Sequence, residues 1–261
     1  SLGEGEARTR NFNTYALIIA IADFAGPVFT GFSIDHAGHV RTYLFIGALG
    51  AVATIVLIVL SRRVPNHRKP IDSAVTNRVM DLFRDPDMRR VLIVGAVVMT
   101  GIDLFQLYLP LYGHEVGLSA SAIGMVLGAA AAATFVSRAL LPMLVRRYGE
   151  ETTLLYAIFL VAVMFTLIPF FKSAVVIGVI CFALGLGMGL GQPLTVMLCY
   201  HYSPAGRGGE SLGLRIAINN SMHVVIPAAF GAVGAAFGLA PVFWVSATVL
   251  AAGNWFSRKR G

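Results

Sequence analysis

Long apolar runs separated by short basic stretches set the pattern of this chain. A helix that crosses the hydrocarbon needs about 20 mostly apolar residues. Eight runs meet or approach that length: 14–34, 41–61, 91–112, 120–145, 152–171, 173–199, 211–237 and 239–256. The longer ones are expected to tilt or to extend beyond the hydrocarbon. The fold class that follows is all-α, a polytopic membrane helix bundle with eight transmembrane helices. An even number of spans puts both termini on one side.

The basic residues choose that side. Clusters at Arg8 and Arg10, Arg62 and Arg63, Arg68 and Lys69, Arg89 and Arg90, Arg146 and Arg147, and Arg258 to Arg260 all share the side of the termini, whereas the other side carries Arg41 and Lys172. Such a bias marks the cytoplasmic face. Both termini are therefore expected in the cytoplasm, and the protein in a plasma membrane of the bacterial inner-membrane kind. Composition agrees. The chain is 57% hydrophobic and 13% charged, against about 25% charged in an ordinary soluble domain, and its mean hydropathy is +0.76. Apolar surface in that excess needs lipid as its solvent. The net charge of +7 sits in loops between spans, so it points to the membrane and not to nucleic acid.

Cys181 and Cys199 fall in one apolar run. On a helix rising about 1.5 Å per residue they lie far beyond disulfide reach. No metal-ligand spacing appears, and nothing calls for a cofactor. The chain opens SLGEGEARTR, without Met and without a signal peptide, which reads as a fragment or a trimmed chain.

The longest polar loop runs from Ser61 to Arg90. Ser73 is placed to cap a short helix whose apolar face would be Val75, Val79, Leu82 and Phe83. That helix is expected along the cytoplasmic membrane surface; the alternative is a solvated linker.

One constant displacement carries Pro27 onto Pro227, Gly31 onto Gly231, Gly38 onto Gly238 and Tyr43 onto Phe243. It carries the first span onto the seventh, so the repeating unit is six helices. Transporters are often built from such repeats, with the site between the halves. Spans three to eight then make one full unit, and spans one and two end another.

These features resemble the major facilitator superfamily. The first span is similar to the family's fifth helix, with its G-x3-G-P-x2-G-G motif in many antiporters: Gly26, Pro27 and Gly31 match, while Ala22 and Thr30 replace glycine. LFRDPDMRR resembles the end of the family's central loop. LLPMLVRRYGEE resembles a degenerate second copy of G-x3-D-R-x-G-x-R, in which Arg147 and Gly149 fit and Pro142 and Arg146 depart, so no gating role is carried over. The resemblance implies helices five to twelve of twelve: 1–61 as the last two helices of an N-terminal half, 62–90 as the central cytoplasmic loop, and 91–261 as a complete C-terminal half.

A charge at mid-bilayer costs about 2.5–3.5 kcal/mol on insertion scales, so each should face a cavity or a partner. Asp23 lies mid-span beside Gly26 and Pro27, where proline removes a backbone hydrogen bond and lets the helix bend. It reads as a proton-coupling group or as a structural acid. The displacement that relates the halves sets it opposite His223. Ser211, Arg215, Asn219 and His223 form a stripe spaced by four, with Asn220 alongside; it lines a cavity or bonds between helices. In the third span Thr100, Asp103 and Gln106 recur every third residue. Asp103 is the second coupling candidate, and the resemblance implies that its helix faces the cavity. Arg138 would hold substrate, neutralise an acid, or snorkel to lipid phosphates. GLGMGLGQP lacks the Lys-Ser or Lys-Thr of a nucleotide loop. Its Gly185 and Gly189 instead permit close helix contact, with Gln192 within reach of the cavity.

The expected function is a secondary transporter of a small organic molecule, proton-coupled, working by alternating access, with a slight lean to efflux by antiport. The partners are that substrate, protons and the bilayer, with a monomer as the full-length form. The rivals are a permease subunit driven by a separate ATPase and an inactive fragment. An enzyme is not expected, because the six histidines scatter.

Overall fold

The computed structural model describes residues 6–61, 81–204 and 206–258, without the side chains of 6–20, 23, 57, 60, 61, 233, 257 and 258. Ser73, Val75 and Val79 lie outside the described residues. The elements are α1 (Glu6–Ala37), α2 (His39–Ser61), α3 (Asp81–Arg84), α4 (Pro86–Glu115), α5 (Ala120–Tyr148), α6 (Glu150–Leu167) with a 3-10 turn (Ile168–Phe170), α7 (Ala174–His201), α8 (Gly208–Phe237) and α9 (Leu239–Arg258). No strand occurs among the described residues. Of the described helices, 7 are long and apolar enough to cross a membrane, α2 and α4 to α9. The 14–34 run falls within α1, a helix of 32 residues.

Capping chemistry, more than hydrophobicity, fixes where these helices begin. The apolar run predicts a start at 91, but α4 starts at Pro86. Asp85 accepts hydrogen bonds from the N–H groups of Asp87 (2.9 Å) and Met88 (3.1 Å), and proline is well suited to a first turn that lacks N–H partners. Ser119 caps α5 in the same way by accepting from Ala122 N–H at 3.2 Å.

α7 is the central helix. It packs most extensively on α5 and α6 and also reaches α4, while α9 covers α6 and α4, α8 lies on α4, and α1 lies on α5. Glycine allows this. A Cβ added at Gly185 would collide with the Ala130 carbonyl of α5, and one at Gly187 would come within 2.7 Å of the Ala157 carbonyl of α6. Phe165 and Phe243 fill the interior at 0% exposure. Tyr112 stands edge-on to Phe243 and donates to the carbonyls of Pro169 (3.2 Å) and Phe171 (3.0 Å), which ties the 3-10 turn to α4.

Two helix pairs share one joint. α1 and α2 meet at Gly38, α8 and α9 at Gly238, with φ of +78° and +84°. Each glycine N–H donates 2.9 Å back into the preceding helix, to Ile34 and Gly234 respectively. A left-handed residue that ends one helix and opens the next favours glycine at both places.

One expectation is corrected. Leu82 was placed on a face turned to the membrane surface. It is 1% exposed and belongs to the bundle's core, with Phe83 packed against that core. α3 is a single turn held beneath α4, because the Asp85–Pro86 cap sets the chain's direction there.

Candidate functional site

A cavity of about 480 Å³ lies where α1, α4, α5 and α7 converge. Pro27, Phe105, Gln106, Thr134, Phe135, Arg138, Met188 and Gln192 line it, with Ala22 and Gly185 at its walls. Three predicted contact residues, Gln106, Arg138 and Gln192, are thus brought together. Its floor is a tight helix crossing. The Thr134 hydroxyl donates to the Gly185 carbonyl at 3.1 Å, and a Cβ at Gly189 would strike Ser137 and Thr134. Gly185 and Gly189 therefore seat α7 against α5.

At the end away from the termini, α1 and α5 close on each other. A side chain at Gly31 would collide with the Ala120 carbonyl, one at Gly124 with the Pro27 carbonyl, and one at Gly128 would approach Val28 within 2.6 Å. Gly26 and Gly231, by contrast, have open space around them. α1 and α8 run unbroken through Pro27 and Pro227. Asp35 extends the α1–α5 closure, accepting from Ala120 N–H (3.0 Å) and Ser121 N–H (2.7 Å) at the N-terminus of α5. A carboxylate there meets unpaired N–H groups and the positive end of the helix dipole. The Ser121 hydroxyl, with the N–H groups of Ser121 and Ala120, holds its carboxyl below the usual carboxylate range. Sequence reasoning missed Asp35, since nothing local signals a partner 86 positions away.

Asp103 and His223 come together across α4 and α8. The His223 Nδ1 lies 2.7 Å from Asp103 Oδ2, with the carboxylate side chain 12% exposed and the imidazole 42%. The pair is ionic when the imidazole is protonated. Among the described residues Asp103 Oδ2 makes no well-aligned hydrogen bond. Asp23 sits in α1 next to Ala22, and its side chain is outside the described residues.

The rest of the α8 stripe turns inward. Ser211 is 0% exposed, and Arg215 and Asn219 are 8% exposed each. The Arg215 Nη2 donates to Thr195 Oγ1 at 2.8 Å and lies 3.5 Å from the Gln192 carbonyl. Among the described residues its Nε and the Asn219 Oδ1 have no hydrogen-bond partner. Asn219, Asn220 and His223 do not line the cavity above, and Asn220 is exposed.

At the end nearer the termini, Tyr202 hydrogen-bonds Glu151, and Arg90 Nη2 lies 4.0 Å from the same carboxylate. That hydrogen bond, with burial, pushes the Tyr202 phenol up to about 12. The space among Asp87, Arg90, Glu151 and Tyr202 is about 10 Å³, room for about one water.

The profile of the Major Facilitator Superfamily matches residues 2–227. The chain belongs to the major facilitator superfamily. No curated protein matches it in sequence. Two of the solved structures that share its fold are as follows. One is a bacterial homologue of the iron transporter ferroportin in the inward-facing state, with a TM-score of 0.71 and 17% identity over 98% of this chain and 64% of that one. The other is a bacterial metal transporter, with a TM-score of 0.68 and 18% identity over 98% and 67%. This superfamily member thus spans a little under two thirds of the first structure's length. The likeness to these two structures is one of fold.

Proposed function

We propose that the chain forms part of a secondary transporter that carries a small organic molecule by alternating access, coupled to protons. The observation that carries this reading is the cavity of about 480 Å³ at the α1, α4, α5 and α7 junction, where the polar side chains of Gln106, Thr134, Arg138 and Gln192 collect. Its size falls in the range of small-molecule sites. In this reading α1 and α2 end one half of the transporter, 62–90 link the halves, and α4 to α9 form the other half, with both termini cytoplasmic. Closure of α1 on α5 at the far end leaves the cavity facing the cytoplasm. Asp103 couples protons, with His223 beside it as its charge partner; Asp23 is the second coupling candidate. Membership of the superfamily favours coupling to an ion gradient over a separate ATPase. The Gly26–Pro27 motif supports efflux by antiport, and the monomer is the expected form.

The test is flux in proteoliposomes with an imposed pH gradient. Asp103→Asn should leave the protein folded and abolish acceleration by the gradient. Gradient-driven flux that persists in this variant rules the coupling role out. A second reading, with a divalent metal ion as cargo, draws on the Asp103–His223 pair, since carboxylate and imidazole are both metal ligands, and on the metal-transporter structures of like fold. Manganese or cobalt flux lost in His223→Ala would favour it.

A further inference from the structure

We infer that the α1, α4, α5 and α7 cavity selects a small organic anion, its charged group meeting Arg138 and its apolar body lying against Phe105, Phe135 and Met188. This rests on the reading of that cavity as the substrate site, and it names the class of substrate.

The sequence left three roles open for Arg138: snorkelling to lipid, neutralising an acid, or holding an anion. The cavity favours the last of them. Arg138 lines the cavity and is itself exposed. Among the described residues no carboxylate comes within ion-pair distance of it, the intramembrane acid Asp103 being matched with His223. An arginine placed inside a membrane protein is costly unless something carries the opposite charge. At this site the substrate supplies it.

Three neighbouring features point the same way. Gln106 and Gln192 reach the same space and can donate amide N–H groups to an anionic oxygen. The described lining residues include no Asp or Glu, so nothing among them would repel that oxygen. Behind Gln192, on the other side of α7, stands a second buried guanidinium. Arg215 contacts the Gln192 carbonyl at 3.5 Å and Thr195 at 2.8 Å, and it has no carboxylate partner among the described residues. Its positive charge adds to that of Arg138 across a low-dielectric wall. The remaining walls are apolar, with Phe135 half exposed to the cavity's surroundings and Phe105 buried behind it. An inorganic anion would leave these surfaces uncovered, whereas an aryl or branched-chain carboxylate would cover them.

Three probes of one shape and different charge test this: 1-naphthoate, 1-naphthamide and 1-naphthylmethylammonium, titrated calorimetrically into the purified full chain in nanodiscs. Naphthoate should bind about tenfold or more tightly than the amide, in keeping with a charge-assisted hydrogen bond, and the ammonium should bind weakest. Arg138→Gln should bring naphthoate down to the amide's affinity. Arg138→Lys should keep part of the preference and serves as the deciding variant where Arg138→Gln does not elute as a folded monomer. Arg146→Gln, on the same helix but outside the cavity, should change nothing. Ammonium binding as tightly as naphthoate, or a naphthoate preference intact in a folded Arg138→Gln protein, overturns anion selection and leaves the cavity standing as a binding site. Absence of binding by all three probes at millimolar concentration overturns the cavity reading and the anion with it.

Discussion

Asp35 shows how one side chain couples two helices. Its carboxylate serves the open N-terminus of α5 from the last turn of α1. Because the bonded state holds its carboxyl below the ordinary value, the contact is fully present above the usual carboxylate pKa of about 4 and is lost as pH falls through the lowered value. Spin labels at the exposed positions Val40 and Met125 should therefore keep a constant separation from pH 7 to 5 and report loosening only below that. In Asp35→Asn the acid-dependent step should vanish. A transition unchanged by the substitution would assign it to another group. Cys181 and Cys199 give a second residue-scale prediction. Both are free and 0% exposed, so maleimide should label neither until the bundle is unfolded. Rapid labelling in nanodiscs would contradict the packing of α7. Sequence reasoning placed both cysteines on one helix, but it had no means of telling that both turn inward.

Helices in this protein approach one another through missing side chains. At Gly124 any side chain meets the Pro27 carbonyl, which is backbone and cannot swing aside. Gly124→Val should part α1 from α5 and cost about 1–3 kcal/mol, the usual penalty for overpacking, read as a lower midpoint in thermal unfolding. The same change at Gly231, where a Cβ meets open space, should have little effect. Equal losses at the two sites would mean that the α1–α5 crossing is not what Gly124 serves. The contrast also shows a limit of pattern matching. Gly31 and Gly231 correspond under the internal repeat, yet one is buried against α5 and the other is free among the described residues. The glycine joints at Gly38 and Gly238 were legible because helix ends are local. What each glycine touches depends on which helices happen to lie across from it.

At the scale of the whole molecule, the α1–α5 closure and the cavity belong to a single arrangement, since the same two helices make the crossing and line the cavity. The proposed alternating access requires the two helices to part. Pairing Asp35→Cys with Ala120→Cys and oxidising should lock the closed end, block transport and leave binding of the cavity probe intact. Reduction should restore flux. Undiminished flux in the oxidised, fully linked protein would mean that the α1–α5 contact does not open in the cycle. The site was partly legible at this scale: Gln106, Arg138 and Gln192 were singled out separately, and tertiary structure brought them around one space. Asp103 and His223 were likewise picked out on separate helices, but their 2.7 Å contact was not foreseen. A spacing of three or four reports the face of one helix and says nothing of its neighbour.

The sequence by itself determined that this protein lives in a membrane, its helical class and its family. Each of these follows from summed hydrophobicity, charge bias between loops, and short motifs, all of which act locally. Only the tertiary structure decided which charges are matched and which are left facing a cavity. Charge pairing and cavity shape arise from contacts between helices distant in sequence, and one helix's register against another is set by packing that no single segment encodes.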